Sequence, residues 1–469
     1  MSASTDLRKL AADRPVHFMG AGGAGMCALA ELLKRSGGKV SGCDQKGSEA
    51  LDDLARLGVD VKTNHDPAHV AGASALVITS AVPPDHPELE AARRAGIPVL
   101  KRAEALGAWV ASGTVVAIAG THGKTTTTAM TTEVLARAGR DPTGLVGGRV
   151  SAWGGNLRFG SASLYVVEAD EYDRSFHRLT PDIAVVTNVE ADHLDVYGDY
   201  AGVREGFAEF LTGVRPGGRV IACADDHGAA SLLPPVADRA VTYGTSAGSM
   251  LRAVDVSITA GGTYATLLEE GRRCGVLGLR KGGRHNLLNA MAAAATARAL
   301  GVEWPPILDA LREFTGVARR FERVGEVDGV LVIDDYAHHP TEIAATLGTA
   351  RAAFPESRLV VAFQPHLYTR TRDFAREFGR TLAVADVIWI TDVFPAREQP
   401  IPGITGATIV DAARAAGAAD VRYHASLATL PAAIADDLRS GDVLITVGAG
   451  SIESVGAAVV KRLSEVVHA

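Results

Sequence analysis

Short apolar runs rich in Val, Ile and Ala alternate with helical patterns along most of this chain, and most runs end on Gly, Asp or Asn. That alternation points to α/β domains with parallel sheets, because a strand buried on both faces is apolar throughout and its return connection is a helix. The first block reads as a strand at 15–19 (PVHFM), a glycine loop, a helix from about Gly25 to Arg35 and a strand at 39–44 (KVSGCD). Strands at 75–80 and 97–100 follow, with a helix from Glu88 to Ala95. The second block opens at 114–120 (TVVAIAG) and runs through 164–170 and 182–189. It closes in a glycine-punctuated stretch, 242–283, that reads as antiparallel, followed by an Ala-rich helix from Leu287 to Leu300. The third block holds strands at 330–340, 358–366, 386–396 and 442–450. At 469 residues the chain exceeds one ordinary core. The boundaries fall near Ala111 and near Gly316, giving three α/β domains over 1–110, 111–316 and 317–469.

Charge excludes some partners. Lys and Arg total 47 against 54 Asp and Glu, a net charge of -7, so no excess of positive charge exists to neutralise a nucleic acid or an anionic membrane. Aromatics at 5% argue against a base-stacking surface. The four cysteines form no CxxC pair, which fits a reducing compartment. The opening MSASTDLRKLAADRP has no apolar core of the kind that marks secretion, and the Ala-rich helix is too short to span a bilayer and is interrupted by Asn289. The expectation is a soluble, cytoplasmic protein, monomer or homodimer, with neither nucleic-acid nor membrane partners.

Gly20, Gly22 and Gly25, with Gly23 between them, form G-x-G-x-x-G after a predicted strand, and Asp44 ends the next strand. Such a loop gives a Rossmann-like N-terminal domain in which backbone N–H groups hold a pyrophosphate and the carboxylate takes a ribose hydroxyl. The loop does not say which nucleotide, and a bare glycine-rich turn is the alternative. A sharper feature is Gly120 to Thr128, GTHGKTTTT, between a strand and a Thr-rich helix. Backbone amides of Gly120, Thr121, Gly123 and Thr126 can cradle phosphates, Lys124 can neutralise them, and Thr125 can ligate Mg²⁺. The usual phosphate-loop spacing is not met, since Ile118 stands where its first glycine belongs. Glu168, Asp170 and Glu171 follow one strand, and Asp192 and His193 follow another; both strands are expected beside the phosphate-loop strand, which places their ends at the triphosphate. A carboxylate inside an apolar strand, as at Glu168, requires a cation or a dense hydrogen-bond set. Asp170 and Asp192 have the alternative of helix capping or solvated loop charge.

His285, Asn286 and Asn289 open the Ala-rich helix; the asparagines can pair with an adenine edge, or simply cap a core helix. In the third block, Arg319 and Arg320 stand at the domain boundary, Tyr336, His338 and His339 follow Asp335, and His366, Arg370 and Arg372 follow the next strand. An arginine there can clamp a small carboxylate bidentately. Arg372 and Arg376, near Asp373 and Glu377, also read as a solvated face, and 448–451 (GAGS) reads as a turn.

The order of GAGGAGM, GTHGKTTTT, EADEYDRSF, TNVEADHLD, HNLLNA, RRFE, DDYAHHPTE and FQPHLYTRTRD resembles the Mur ligases of bacterial peptidoglycan synthesis over nearly the whole chain, most nearly the member that adds L-alanine. Two departures are visible. Tyr172 stands where many members have Ser, and no Lys lies between His193 and Arg215, where members adding later residues carry a carbamylated lysine. The resemblance implies an N-terminal UDP-binding domain, a central P-loop-type ATPase domain and a Rossmann-like C-terminal amino-acid domain. It implies that Gly20, Gly22, Gly23, Gly25 and Asp44 hold UDP rather than NAD. Gly147 and Gly148 match the family's glycine pair before the substrate loop. Thr125, Glu168 and His193 are implied as Mg²⁺ ligands, Asn286 and Asn289 as facing adenine, Arg320 and Asp335 as facing phosphates and ribose. Tyr336, His338 and Arg370 are implied as the L-alanine pocket.

The implied reaction has UDP-N-acetylmuramate and L-alanine as substrates and ATP with Mg²⁺ as cofactors. The lactyl carboxylate attacks the γ-phosphate, and the amine then displaces phosphate from the acyl phosphate. Two anions must meet in the first step, so Lys124, Mg²⁺ and an arginine are needed before contact. His193 or His338 is the candidate base for the amine. Three other readings are a related ligase attaching a whole peptide, a nicotinamide-dependent dehydrogenase, which leaves GTHGKTTTT without a task, and a non-catalytic phosphate-loop switch.

Overall fold

A computed structural model describes residues 6–396 and 398–467. The first sheet is built from β1 (Val16–Met19), β2 (Val40–Cys43), β3 (Asp60–Lys62), β4 (Ala75–Ile78) and β5 (Val99–Lys101). All are parallel, in the order β3-β2-β1-β4-β5, which is the Rossmann order with its switch point beside β1. The glycine loop follows β1, so it lies where such sheets bind ligands.

The central sheet comprises β6 (Thr114–Ala119), β7 (Thr143–Val150), β8 (Gly155–Arg158), β9 (Leu164–Glu168), β10 (Ile183–Val186), β11 (Arg219–Cys223), β12 (Ala240–Gly244), β13 (Leu251–Thr259), β14 (Gly262–Glu269) and β15 (Arg272–Leu279). Its order is β15-β14-β13-β12-β11-β10-β6-β9-β7-β8. The expected placement holds: β9 and β10 flank β6, both parallel to it. The stretch read as antiparallel needs a correction. β12 and β13 pair in parallel, Tyr243 with Leu251 and Gly244 with Arg252. Only β13 to β15 form a meander, joined by two-residue connections that parallel strands cannot use. Glu270 and Gly271 both have positive φ, the geometry of a tight hairpin turn.

The third sheet contains β16 (Glu322–Val327), β17 (Val330–Asp335), β18 (Leu359–Phe363), β19 (Val387–Ile390), β20 (Val421–Tyr423) and β21 (Val443–Val447), in the order β16-β17-β21-β18-β19-β20. Only β16 is antiparallel. Strand residues alternate between two cores: Val361 and Phe363 join Leu347 and Phe378 on one face, while Val360 and Ala362 join Ile434 and Val459 on the other. Helices therefore cover both faces, which is why these strands read as unbroken apolar runs.

The chain condenses into two units. One contains the chain up to Asp255 with Ala265–Gly278 and Leu287–Val317, and the other contains Val256–Tyr264, Leu279–Asn286 and the chain from Ala318. Within the first unit, one continuous core takes Val16, Phe18 and Val77 from the first sheet and Val115, Ala117, Val167 and Val186 from the central one. Met26, Leu29 and Leu33 of the helix Ala24–Arg35 bridge them.

Candidate active site

β6 ends at Ala119 and the chain turns through Gly120 (φ +139°) and Gly123 (φ +82°) into the helix Lys124–Arg137. A side chain at Gly120 would run into Thr187 Oγ1, and one at Gly123 into Asn289 Oδ1. The loop is stitched to the end of β10. Thr187 Oγ1 donates to His122 O (2.6 Å), His122 N donates to Asn188 Oδ1 (2.7 Å), and Asn188 Nδ2 returns to His122 O (3.0 Å). Thr121 Oγ1 accepts from Glu190 N at 2.9 Å.

Lys124 Nζ donates to Gly120 O (2.7 Å) and Glu171 Oε1 (2.9 Å). Burial works against its charge, but Glu171, Asp170 and Glu168 outweigh it, and its pKa is raised. Burial pushes Glu171 up to about 7 despite the ammonium beside it. Glu168, at the end of β9, meets the requirement for a dense hydrogen-bond set: it accepts from Thr125 Oγ1 at 3.0 Å and from Gly147 N at 2.6 Å. Gly147 and Gly148 are needed for this approach, since a side chain would press on Glu168 at the first and on Thr125 at the second. His193 has φ +52°, places Nε2 3.8 Å from Glu171 and 3.9 Å from Asp192, and meets the Tyr172 ring edge-on at 5.1 Å. Asp170 caps Tyr172 N (3.1 Å) and faces Arg102 (3.5 Å).

A cavity of about 310 Å³ runs from Gly23 and Gly25 past Arg102 to Gly147, Glu168 and Asp170. It joins the glycine loop to the carboxylate beside the phosphate loop. Gly20 has φ +83°, and Asp44 Oδ2 accepts from Gly22 N at 2.9 Å, so the carboxylate secures the loop itself. The helix Ala24–Arg35 points its amino end here, with Arg102 against Gly25. A cation and a helix N-terminus at one end suit a diphosphate.

In the second unit, β17 ends at Asp335, which is buried and accepts from Phe321 N and Ala337 N, both 2.8 Å. Burial pushes Asp335 up to about 6, with Arg320 pulling the other way. Tyr336 lies beneath the guanidinium groups of Arg319 (5.0 Å) and Arg320 (5.3 Å). Arg319 is held by Asp334 (2.8 Å) and Glu453 (2.8 Å). His338 Nδ1 is oriented by Tyr336 O (2.9 Å) and Glu342 (3.3 Å), and its ring meets His366 edge-on at 5.6 Å. Arg370 is buried and lies 3.4 Å from His366 Nδ1. Tyr336, His338, His366 and Arg370 thus form one group at the ends of β17 and β18. Arg372 pairs with neighbouring Asp373 on the surface, the solvated alternative. The 448–451 segment is a turn tied to Asp335 by Gly448 N–H (3.1 Å). Asn286 Nδ2 donates to Gly282 O (2.8 Å).

Three residues had no role from sequence. Thr187 and Asn188 form the floor of the phosphate loop, legible only as a polar pair ending an apolar strand. Arg102 follows β5 directly in KRAE, where a basic pair at a helix start gives no signal.

Mur ligase family, catalytic domain, matches residues 15–114; Mur ligase middle domain matches 118–297; Mur ligase, glutamate ligase domain, matches 319–450. The UDP-N-acetylmuramate–L-alanine ligase of Burkholderia ambifaria is 44% identical over 458 residues, 96% of this chain and 98% of that protein. The chain belongs to the Mur ligase family. The protein of the same name from Nitratidesulfovibrio vulgaris is 43% identical over 443 residues, 94% of this Mur ligase and 97% of the relative. The crystal structure of UDP-N-acetylmuramate-alanine ligase from Thermotoga maritima has a TM-score of 0.84 at 30% identity, covering 97% of this chain and 100% of that one. The murein peptide ligase of Psychrobacter arcticus, at 24% identity and TM-score 0.72, covers 96% of this chain and 98% of its own, and shares the fold. The three α/β domains expected from the strand pattern are those of this family.

Proposed function

We propose that this Mur ligase joins L-alanine to the lactyl carboxylate of UDP-N-acetylmuramate, with ATP as the activating nucleotide, in the cytoplasm during peptidoglycan precursor synthesis. The observation that carries the reading is the cavity from the glycine loop to Glu168, whose far end is hydrogen-bonded to the phosphate-loop Thr125. A UDP-sugar held by Gly20, Gly22, Gly23 and Gly25 extends its carboxylate toward that end. The relatives' names supply the amino acid. The domains are assigned as 1–110 for the UDP-sugar, 111–316 for ATP and 317–469 for the amino acid.

Thr125 and Glu168 offer the hard oxygen donors that Mg²⁺ prefers, and their 3.0 Å separation suits a shared cation. His193, lying against Glu171 and Asp192, is assigned as the third ligand. When bound, the ion neutralises phosphate charge. Backbone amides of Gly120, Thr121, Gly123 and Thr126 hold the phosphates, and Lys124, already charged, lets the two anions approach. Asn286 and Asn289 take adenine, and Arg320 and Asp335 the phosphates and ribose. Tyr336 and Arg370 orient L-alanine, and of the two candidate bases His338 takes the proton from its amine, since His193 spends its lone pair on the ion.

The test is phosphate release from ATP in the presence of each substrate alone and both together, with the product identified by mass. Release that requires both UDP-N-acetylmuramate and L-alanine is expected. Turnover indifferent to either removes the reading, and preference for a tripeptide over L-alanine in competition transfers the chain to the peptide-adding ligases.

A further inference from the structure

On the face of the first sheet away from the large shared core, four side chains of metal-binding chemistry converge. His17 lies on β1, Cys43 ends β2, His69 lies in the single turn Pro67–Val70, and Glu88 lies in the helix Pro87–Arg94. One donor atom from each lies within 4.8 Å of the other three. His17, Cys43 and Glu88 are buried, which sets the group apart from solvated surface carboxylates. We propose that His17, Cys43, His69 and Glu88 form a site for one Zn²⁺-class divalent cation.

The distances carry the proposal. His17 Nε2 lies 3.3 Å from Cys43 Sγ, Cys43 Sγ lies 3.3 Å from Glu88 Oε2, and Glu88 Oε1 lies 2.9 Å from His69 Nδ1. Ligands at ~2.0–2.3 Å around a tetrahedral Zn²⁺ stand roughly 3.3–3.7 Å apart along its edges, and the donors here lie between 2.9 Å and at most 4.8 Å apart, so shifts of at most about 1.5 Å seat the ion. The outer contacts are those a metal ligand needs. His17 Nδ1 is engaged by Ser41 Oγ at 2.9 Å, which leaves Nε2 directed at the thiol, and Glu88 Oε1 accepts from Asp66 N at 2.9 Å. Thiolate, imidazole and a single carboxylate select Zn²⁺ or Co²⁺ over Mg²⁺ and Ca²⁺, which require oxygen sets. Four protein ligands close the coordination sphere, so the ion is structural.

The site bears on the glycine loop. Cys43 O accepts from Gly20 N (2.8 Å) and Ala21 N (2.9 Å), and the next residue, Asp44, holds Gly22 N. An ion on Cys43 therefore fixes the strand end from which that loop hangs, and adds a covalent-strength tie to two elements that already pack on it through Val70, Leu89 and Ala92.

The experiment uses the full chain, stripped by chelator, reloaded with ZnCl₂ or CoCl₂ and desalted. One equivalent of zinc per chain is expected, and the cobalt form is expected to show a thiolate-to-metal charge-transfer band. Cys43→Ser removes the band, while Glu168→Gln, which alters the phosphate-loop carboxylate, retains it. His69→Gln, at a less buried position, lowers zinc affinity at least about tenfold in competition with a chromophoric chelator. No stoichiometric zinc in the native chain, or a native cobalt form without the thiolate band, overturns the site; the cluster is then a hydrogen-bond network. A band that disappears in Glu168→Gln places the cation elsewhere and overturns it equally.

Discussion

Lys124 is buried among carboxylates, so its charge is stabilised before any phosphate arrives. Lys124→Ala is expected to lower ATP turnover at least about 100-fold, the scale on which a single preorganised charge acts. UDP-sugar binding, proposed above for the glycine loop, is expected to survive; a phosphate-release assay beside calorimetry reads both, and undiminished turnover removes the role of Lys124. Gly120 makes a second point. Its φ of +139° and the Thr187 hydroxyl against it leave no place for a side chain, whereas Gly139, φ +73°, has open space around it. Gly139→Ala is expected to cost about 1–2 kcal/mol in unfolding free energy. Gly120→Ala is expected to cost more and to abolish ATP binding, and equal effects on both measures would refute the steric account. This contrast also marks what the sequence conveys. Thr125, Glu168 and the glycines were legible because strand ends and phosphate loops demand those residue types. Asn188 was not: β10 is expected beside β6, but the meeting of the Asn188 amide with His122 depends on how the loops beyond the paired strands fold together, which local pattern does not encode.

Elements explain both the successes and the errors of pattern reading. Thr127, Thr128, Thr131 and Thr132 are poor helix formers, yet they are buried in the helix Lys124–Arg137. Thr128, Thr131 and Thr132 donate to the carbonyl four residues back, at 2.7–2.8 Å, which lets polar residues occupy a core-facing helix. The parallel strands β6, β9, β10, β17, β18, β19 and β21 were legible because both faces are buried. β7 and β16 are interrupted by glycine or charge, and β11 offers only a four-residue apolar run between a charged stretch and a turn, so none of the three stands out in the sequence. The start of the helix Arg284–Ala299 carries a pH effect. Burial and Arg320 lower His285 to about 4, with Glu342 opposing, and its Nδ1 is sequestered with no hydrogen-bond partner among the described residues. The folded form binds fewer protons than the unfolded one between about pH 4 and 6.5, so acidification there removes stability, by up to about 1.4 kcal/mol per pH unit. Asp335, raised to about 6, has the opposite sign: its folded form holds the proton between 3.8 and about 6. His285→Gln removes the His285 contribution and leaves that of Asp335 in place, so the stability of the variant relative to the native chain is expected to rise as pH falls from 6.5 to 4.5. Urea midpoints at three pH values read this, and a pH-independent difference would exclude a neutral buried His285.

At the scale of the molecule, three sheets do not make three independent cores. The family matches change between residues 114 and 118. The core crosses this division, because the helix Ala24–Arg35 packs on β7 and β8 while also covering its own sheet. Arg149 adds ion pairs to Asp53 (2.7 Å) and Glu49 (3.0 Å), and Arg8 donates to Tyr165 Oη (3.1 Å). The glycine loop and the phosphate loop are thereby held on one cooperative body, with the cavity between them. Sequence patterns locate strands and turns but not which cores merge, since merging depends on surfaces brought together only by folding. Leu33→Ala, in the shared core, is expected to cost about 2–5 kcal/mol. It should lower hydrogen-exchange protection in β1 and in β6 alike, leaving β18 unchanged. Phe363→Ala, in the core of the second unit, should do the reverse. Protection lost from β1 alone after Leu33→Ala would mean that the first two sheets open separately and that the distance between the two loops is not fixed by a common core.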